Sequence, residues 1–193
     1  MNSQSPKSSR APLENERQLV LQAQAGNSEA FGQLYEAYME RIYRFIYFRV
    51  EDQSTAEDIT SQVFLRAWNN LDRFRLGRTP YLAWLYTIAH NAVIDHYRTR
   101  KVTTALDDVR LSRPDYAEAV ENDIDFEVEM QSIKIALRTL TNDQQQVLTL
   151  KFIEGMSNNE IARHLGKREG AIRALQMRGL RALAKQLEEK IIA

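Results

Sequence analysis

Large apolar residues recur at three- and four-residue steps along most of this chain, and no convincing alternating strand appears. Phe31, Leu34, Tyr35, Tyr38, Ile42, Phe45 and Ile46 set the period, which predicts one long amphipathic helix over 28–50. A second helix is expected over 55–70, where Ser54 and Glu57 have the spacing of a reciprocal cap. A third is expected over 80–101, with Thr79 as its cap and Pro80 in the first turn, where a missing N–H does no harm. A short leading helix over 13–25 ends at Gly26. A chain with this period throughout must fold by packing helix on helix, so the expected class is all-α.

The period fails once. Residues 102–129 hold few large apolar side chains, one proline and many acids, which reads as a flexible acidic linker. From Met130 the helical pattern returns, restarts near Asn142 and continues to the end. The expected organisation is therefore a disordered N-terminus (1–12), a helical domain (13–101), the linker (102–129) and a second helical domain (130–193). No internal repeat is visible.

Charge follows the same divisions. Lysine plus arginine equals aspartate plus glutamate over the whole chain, 26 against 26, but the sum hides an asymmetry. Residues 105–129 carry two basic groups against nine acidic, whereas 130–193 carry eleven against six. The absence of cysteine excludes disulfides and thiolate metal ligands. There is no apolar run long enough to span a bilayer, and the polar N-terminus lacks the apolar core of a signal peptide, so no membrane insertion and a cytoplasmic location are expected. The three histidines do not form a catalytic or metal-binding constellation. His90 and His96 diverge by about 240° around a helix; His96 reads as core, His90 and His164 as surface. Neither an enzyme nor a cofactor is expected.

The stretch SNNEIARHLGKREGAIRALQMRG, residues 157–179, has the form of a helix-turn-helix. Ser157 and Glu160 make a capping box, Ile161, Ala162 and Leu165 face inward, and Gly166 supplies the permissive backbone of the sharp turn. The second helix, from about Arg168, buries Ile172, Leu175, Gly179 and Leu183. Its other face presents Gly170, Arg173, Ala174, Met177 and Arg181, small and basic residues that suit entry into a major groove.

The helix after Pro80 has two faces as well. Leu82, Leu85, Ala89, Ala92, Val93 and His96 share the core face. Trp84, Asn91 and Arg98 stand seven apart on the other, with Thr87 and Asp95 beside them and Arg98, Arg100 and Lys101 clustered at the end. An aromatic, an amide and a cation in one row suit an unpaired base and its phosphate. The residues alone leave a plainer account open: cations favour helix C-termini through the dipole, and Trp84 could simply pack on the preceding loop.

Three segments carry a family resemblance: AEDITSQVFLRAWNNLDRF (56–74), TPYLAWLYTIAHNAVIDHYRTR (79–100) and LTNDQQQVLTLKFIEGMSNNEIARHLGKREGAIRALQMRGLRAL (140–183). In order and spacing they resemble the extracytoplasmic-function (ECF) sigma factors of the sigma-70 family, which keep only the second and fourth conserved regions. The resemblance implies a non-catalytic subunit that binds core RNA polymerase, recognises promoter DNA at the −35 and −10 elements and helps to melt it. It implies that the helix 55–70 docks on the clamp helices of the largest (beta-prime) subunit through Asp58, Gln62, Leu65 and Asn69. The loop 71–78, with Asp72, Phe74, Arg75 and Arg78, would capture a flipped base of the −10 element. Trp84, Asn91, Arg98 and Arg100 would lie along the melted strand, Asn91 at the family's base-contacting position. The helix from Arg168 would read the −35 element, with Arg168, Glu169, Arg173, Ala174, Met177, Arg178 and Arg181 as candidates. An anti-sigma protein is a further implied partner, covering the docking stripe or wedged between the domains.

Reach is compatible with this division. The two elements lie roughly 25 base pairs, about 85 Å, apart, and the linker can extend to about 90 Å. Its acids either mimic RNA phosphates in a basic channel, as the family implies, or simply form a solubilising tether; both readings stand. Two departures from the family pattern occur, Thr141-Asn142 in place of Pro-Glu and Gln176-Met177 in place of a pair such as His-Arg. The alternative function is a stand-alone helix-turn-helix regulator that binds duplex DNA as a dimer.

Overall fold

The computed structural model describes residues 15–104 and 124–192, with side chains over 15–100 and 130–186. The expectations for 1–12 and for the middle of the linker lie outside the described residues.

Four helices build the first module: α1 (Glu16–Gln24), α2 (Ser28–Tyr47), α3 (Gln53–Asn69) and α4 (Tyr81–Thr104). Gly26, at φ 91°, turns the chain between the first two. Asn27 then caps α2, its Oδ1 accepting from the N–H groups of Glu29 and Ala30 at 3.0 and 3.1 Å. The buried residues of α2, Ala30, Leu34, Tyr38, Ile42, Phe45 and Ile46, keep the three/four step along its whole length. α3 starts earlier than the sequence suggested. Its cap is Asp52, whose Oδ1 accepts from the Thr55 N–H at 2.7 Å and from the Ser54 hydroxyl at 2.7 Å. Ser54 thus serves the cap instead of being it, and Glu57 accepts from Gln53 Nε2. Before α4 the Pro80 carbonyl takes the first helical bond, from Trp84 N–H at 3.1 Å, so Pro80 occupies the boundary expected for Thr79.

A short 3₁₀ turn, Leu71–Arg73, opens the loop between α3 and α4. The Gln24 side-chain amide donates to the carbonyls of Leu71 and Phe74 at 2.8 and 2.9 Å, fastening this loop to α1.

The second module comprises α5 (Ile124–Arg138), α6 (Asn142–Leu148), α7 (Asn158–Leu165) and α8 (Glu169–Ile192). Both α4 and α5 extend into the stretch expected as linker. A turn of π-helix, Thr149–Ile153, follows α6, and its extra residue leaves Glu154 N–H bonded to Thr149 O at 3.1 Å. The Ser157–Glu160 capping box is present, and Gly166 closes α7 in the left-handed conformation at φ 61°. Among the described residues there is no strand.

The two modules are not separate bodies. One buried cluster runs from Leu34, Phe45 and Tyr86 of the first into Val147, Leu150 and Ile161 of the second. A smaller one joins Phe48 to Leu137, Leu140 and Leu148. Each such side chain contributes about 1.5–3 kcal/mol when fully buried, so this joint is a substantial gross term. Polar contacts border it. Gln145 Nε2 donates to Phe48 O at 3.4 Å, and the Lys134 ammonium lies 3.8 Å from the Tyr47 ring centre. Burial, with Arg138 nearby, pulls the Lys134 ammonium down to about 8.

Candidate nucleic-acid and polymerase interface

The four α3 residues that the resemblance implies as a docking stripe share one side of the helix. Asp58, Gln62, Leu65 and Asn69 are exposed along one side of α3, while Ile59, Val63 and Ala67 on the other are buried. Leu65 is 61% exposed. It also borders an open apolar hollow of about 360 Å³ lined by Ser28, Phe31, Phe64 and Trp68. Phe31 meets Trp68 edge-on at 4.9 Å and Tyr35 meets Phe64 at 4.7 Å. Of the α2 residues lining this hollow, Phe31 belongs to the apolar stripe read from the sequence. Tyr35 and Met39 are in fact exposed on the same helix.

The loop residues divide. Asp72, Arg75 and Arg78 are exposed. Phe74 is 6% exposed and packs against Tyr81 at 5.5 Å and Trp84 at 5.0 Å. It supports Trp84 from beneath instead of presenting its own ring, and Trp84 is left half-buried. Trp84 therefore packs on the loop, as the plainer account expects, and keeps part of its surface exposed. Asn91 is exposed on the same side of α4, with Thr87 one turn earlier. Arg98 pairs with Asp95 at 3.1 Å, and Arg66 of α3 reaches the same carboxylate at 3.5 Å. Arg100 pairs with Glu51, which also binds Arg138 of α5 at 2.9 Å. Arg98 and Arg100 are thus exposed cations already held in surface ion pairs, which carry little energetic weight.

On α8, Ile172, Leu175 and Gly179 are buried, and Leu183 is half-buried. Arg168, Arg173, Ala174, Met177, Arg178 and Arg181 are exposed, and Glu169 is half-buried. Glu169 holds Arg173 at 2.6 Å one turn on. Asn158 and Gln176 exchange amide bonds at 2.8 and 3.1 Å, locking α7 to α8. A β-carbon at Gly179 would stand 2.9 Å from Leu148 Cδ1, so glycine there lets α8 lie close on α6.

The histidines depart from expectation. His90 and His164 are half-buried where the modules meet, His164 at 5.8 Å from the Tyr86 ring. Burial pulls both down to about 4, helped at His90 by the nearby Arg49 charge. His96 is half-buried as well. Among the described residues no three His, Asp or Glu side chains gather as a metal site would require, and no helix is long and apolar enough to cross a membrane.

An exposed stripe on α3, an amide-and-cation face on α4 and a basic second helix of a helix-turn-helix therefore occupy one chain. Residues 34–103 match the family described as Sigma-70 region 2, and residues 130–183 match Sigma-70, region 4. The ECF RNA polymerase sigma factor BldN of Streptomyces coelicolor is 40% identical over 89% of this chain and 66% of its own length. The ECF RNA polymerase sigma factor SigX of Bacillus subtilis is 31% identical over 83% of this chain and 84% of its own. The chain belongs to the ECF sigma factors. The fold agrees: the sigma factor RpoE, solved in complex with the anti-sigma factor NepR from Bartonella quintana, superposes with a TM-score of 0.67. It is 25% identical, and the alignment covers 82% of this chain and 96% of that one. The chain thus spans about two thirds of BldN and most of SigX. Within the ECF frame, α3 and α4 fall in region 2 and the helix-turn-helix in region 4.

Proposed function

We propose that this ECF sigma factor docks on core RNA polymerase through Asp58, Gln62, Leu65 and Asn69, and reads its promoter with two separate faces. The α8 face, led by Arg173, Ala174, Met177 and Arg181, enters the major groove of the −35 element. The α4 face holds the melted −10 strand: Trp84 stacks, Asn91 bonds a base edge, and Arg75, Arg78, Arg98 and Arg100 meet phosphate. The single observation that carries the reading is the match to regions 2 and 4 in one chain, each match containing one of these exposed faces.

No chemistry by the protein is required. Contacts to unpaired bases, worth roughly 1–3 kcal/mol each where a ring stacks, offset the few kcal/mol of unstacking each base step. The sigma factor acts by binding the opened state better than the closed one. A cytoplasmic location follows from that role. By analogy with RpoE and NepR, an anti-sigma protein is a further partner, and the apolar hollow around Leu65 suits an amphipathic segment of it.

The test is titration of the purified chain against core bacterial RNA polymerase without DNA. One-to-one association with sub-micromolar affinity is expected. Absence of association, with tight binding to duplex DNA alone, would move the chain to the regulator class.

A further inference from the structure

One buried charge among the described residues lies in neither DNA face nor docking stripe. Glu154, directly after the π-turn of the second module, has a fully buried side chain. The three hydrogen bonds its carboxylate accepts all come from the first module. Arg41 Nε and the Tyr86 hydroxyl donate to Oε2 at 3.1 and 2.7 Å, and Arg44 Nε donates to Oε1 at 3.3 Å. A buried carboxylate with its donors on another module ties the two together, because removing the donors without admitting water leaves an uncompensated charge.

A second buried charge works against it. Arg49 is 1% exposed, and its Nε, Nη1 and Nη2 have no hydrogen-bond partner among the described residues. The guanidinium faces the Phe45 ring at 4.9 Å. It follows Phe48, the residue that packs into Leu137, Leu140 and Leu148 of the second module. Five donors without acceptors favour whatever state readmits water to them.

We propose that the two modules form a latch: Glu154 holds them closed, and the sequestered Arg49 biases the closed state toward opening. The closed state keeps α2 and the segment after the π-turn within hydrogen-bond distance. Promoter elements about 85 Å apart cannot then be engaged together, so the latch is an off-duty arrangement of the sigma factor. That consequence rests on the promoter-reading assignment; the latch itself does not.

The experiment is single-molecule energy transfer on the full chain, without polymerase or DNA. The protein contains no cysteine, so Gln33→Cys on α2 and Asn159→Cys on α7, both exposed, label one position in each module. E154Q is expected to raise the ratio of long- to short-distance molecules about tenfold. R49M, which removes the unpaired charge at similar volume, is expected to lower it several-fold. Unchanged distances in E154Q with helicity retained would overturn the latch, as would opening by R49M. Should E154Q lose helicity, R41K and Y86F weaken the same carboxylate from the other side. Opening in these two is the expected result, and their staying closed would overturn the proposal. Because polymerase is absent, failure here leaves the sigma assignment untouched, whereas failure of the core titration leaves the distances untouched.

Discussion

The Phe74 ring lies 5.0 Å from Trp84, inclined by 36°, and closes the floor beneath it. This relationship separates two roles that the loop sequence merges. A ring that captures a base must be free to meet it, whereas Phe74 is already spent on the core. Phe74→Ala is therefore expected to destabilise the first module by about 3–5 kcal/mol, the usual range for a buried phenylalanine. Denaturant unfolding checks this; a loss of promoter opening at unchanged stability would return Phe74 to the DNA-contacting set.

Asp58 is exposed, so reversing its charge removes no internal contact shown here. Asp58→Arg should weaken core polymerase binding by about tenfold or more while stability changes by less than about 0.5 kcal/mol. Parallel titration and thermal melting distinguish this from general damage, since a fold defect would move both.

At Gly179 two effects oppose. Alanine in a helix interior is favoured over glycine by about 1 kcal/mol, but its β-carbon would press on Leu148 Cδ1 at 2.9 Å. That atom ends a side chain able to give slightly, so Gly179→Ala should be near neutral. Gly179→Val cannot be accommodated so easily and should cost about 1–3 kcal/mol. Similar stability for both variants in chemical denaturation would mean that α6 and α8 are less tightly apposed.

His90 and His164 are held near 4 against an ordinary value of 6.5, chiefly by burial. Unfolded chains therefore take up protons at a higher pH than folded ones, and stability falls as pH drops from about 6.5 toward 4. Between pH 7 and pH 5 the pair accounts for about 2 kcal/mol after allowance for partial solvent screening. Above pH 7 both histidines are neutral in either state and this contribution is flat. Melting curves of the wild type against H90Q/H164Q check the slope, which should be shallower in the double variant.

Local signals were readable from the residues alone. Ser157, Glu160 and Gly166 act within a few positions of each other, and the α2 stripe repeats often enough to be unmistakable. The Ser54–Glu57 cap failed because Asp52 offers an equally good oxygen two residues earlier. The extended backbone at Asp52, φ −129° and ψ 168°, decides between them. Phe74 and the histidines were misplaced because burial in a loop or on a helix flank depends on what folds over it. The Glu154 contacts were invisible for a stronger reason. Arg41 and Arg44 lie 113 and 110 positions away, and an isolated glutamate after a helix reads as solvent-facing in any periodic scheme.

Gln24 grips the loop between α3 and α4 at Leu71 and Phe74 only, which divides that loop into a fixed heel and a toe. The toe, residues 75–79, is exposed apart from a half-buried Leu76, and it bends at Gly77 with φ 84°. Evolution or a designer can therefore rewrite the toe without re-engineering the module that carries it.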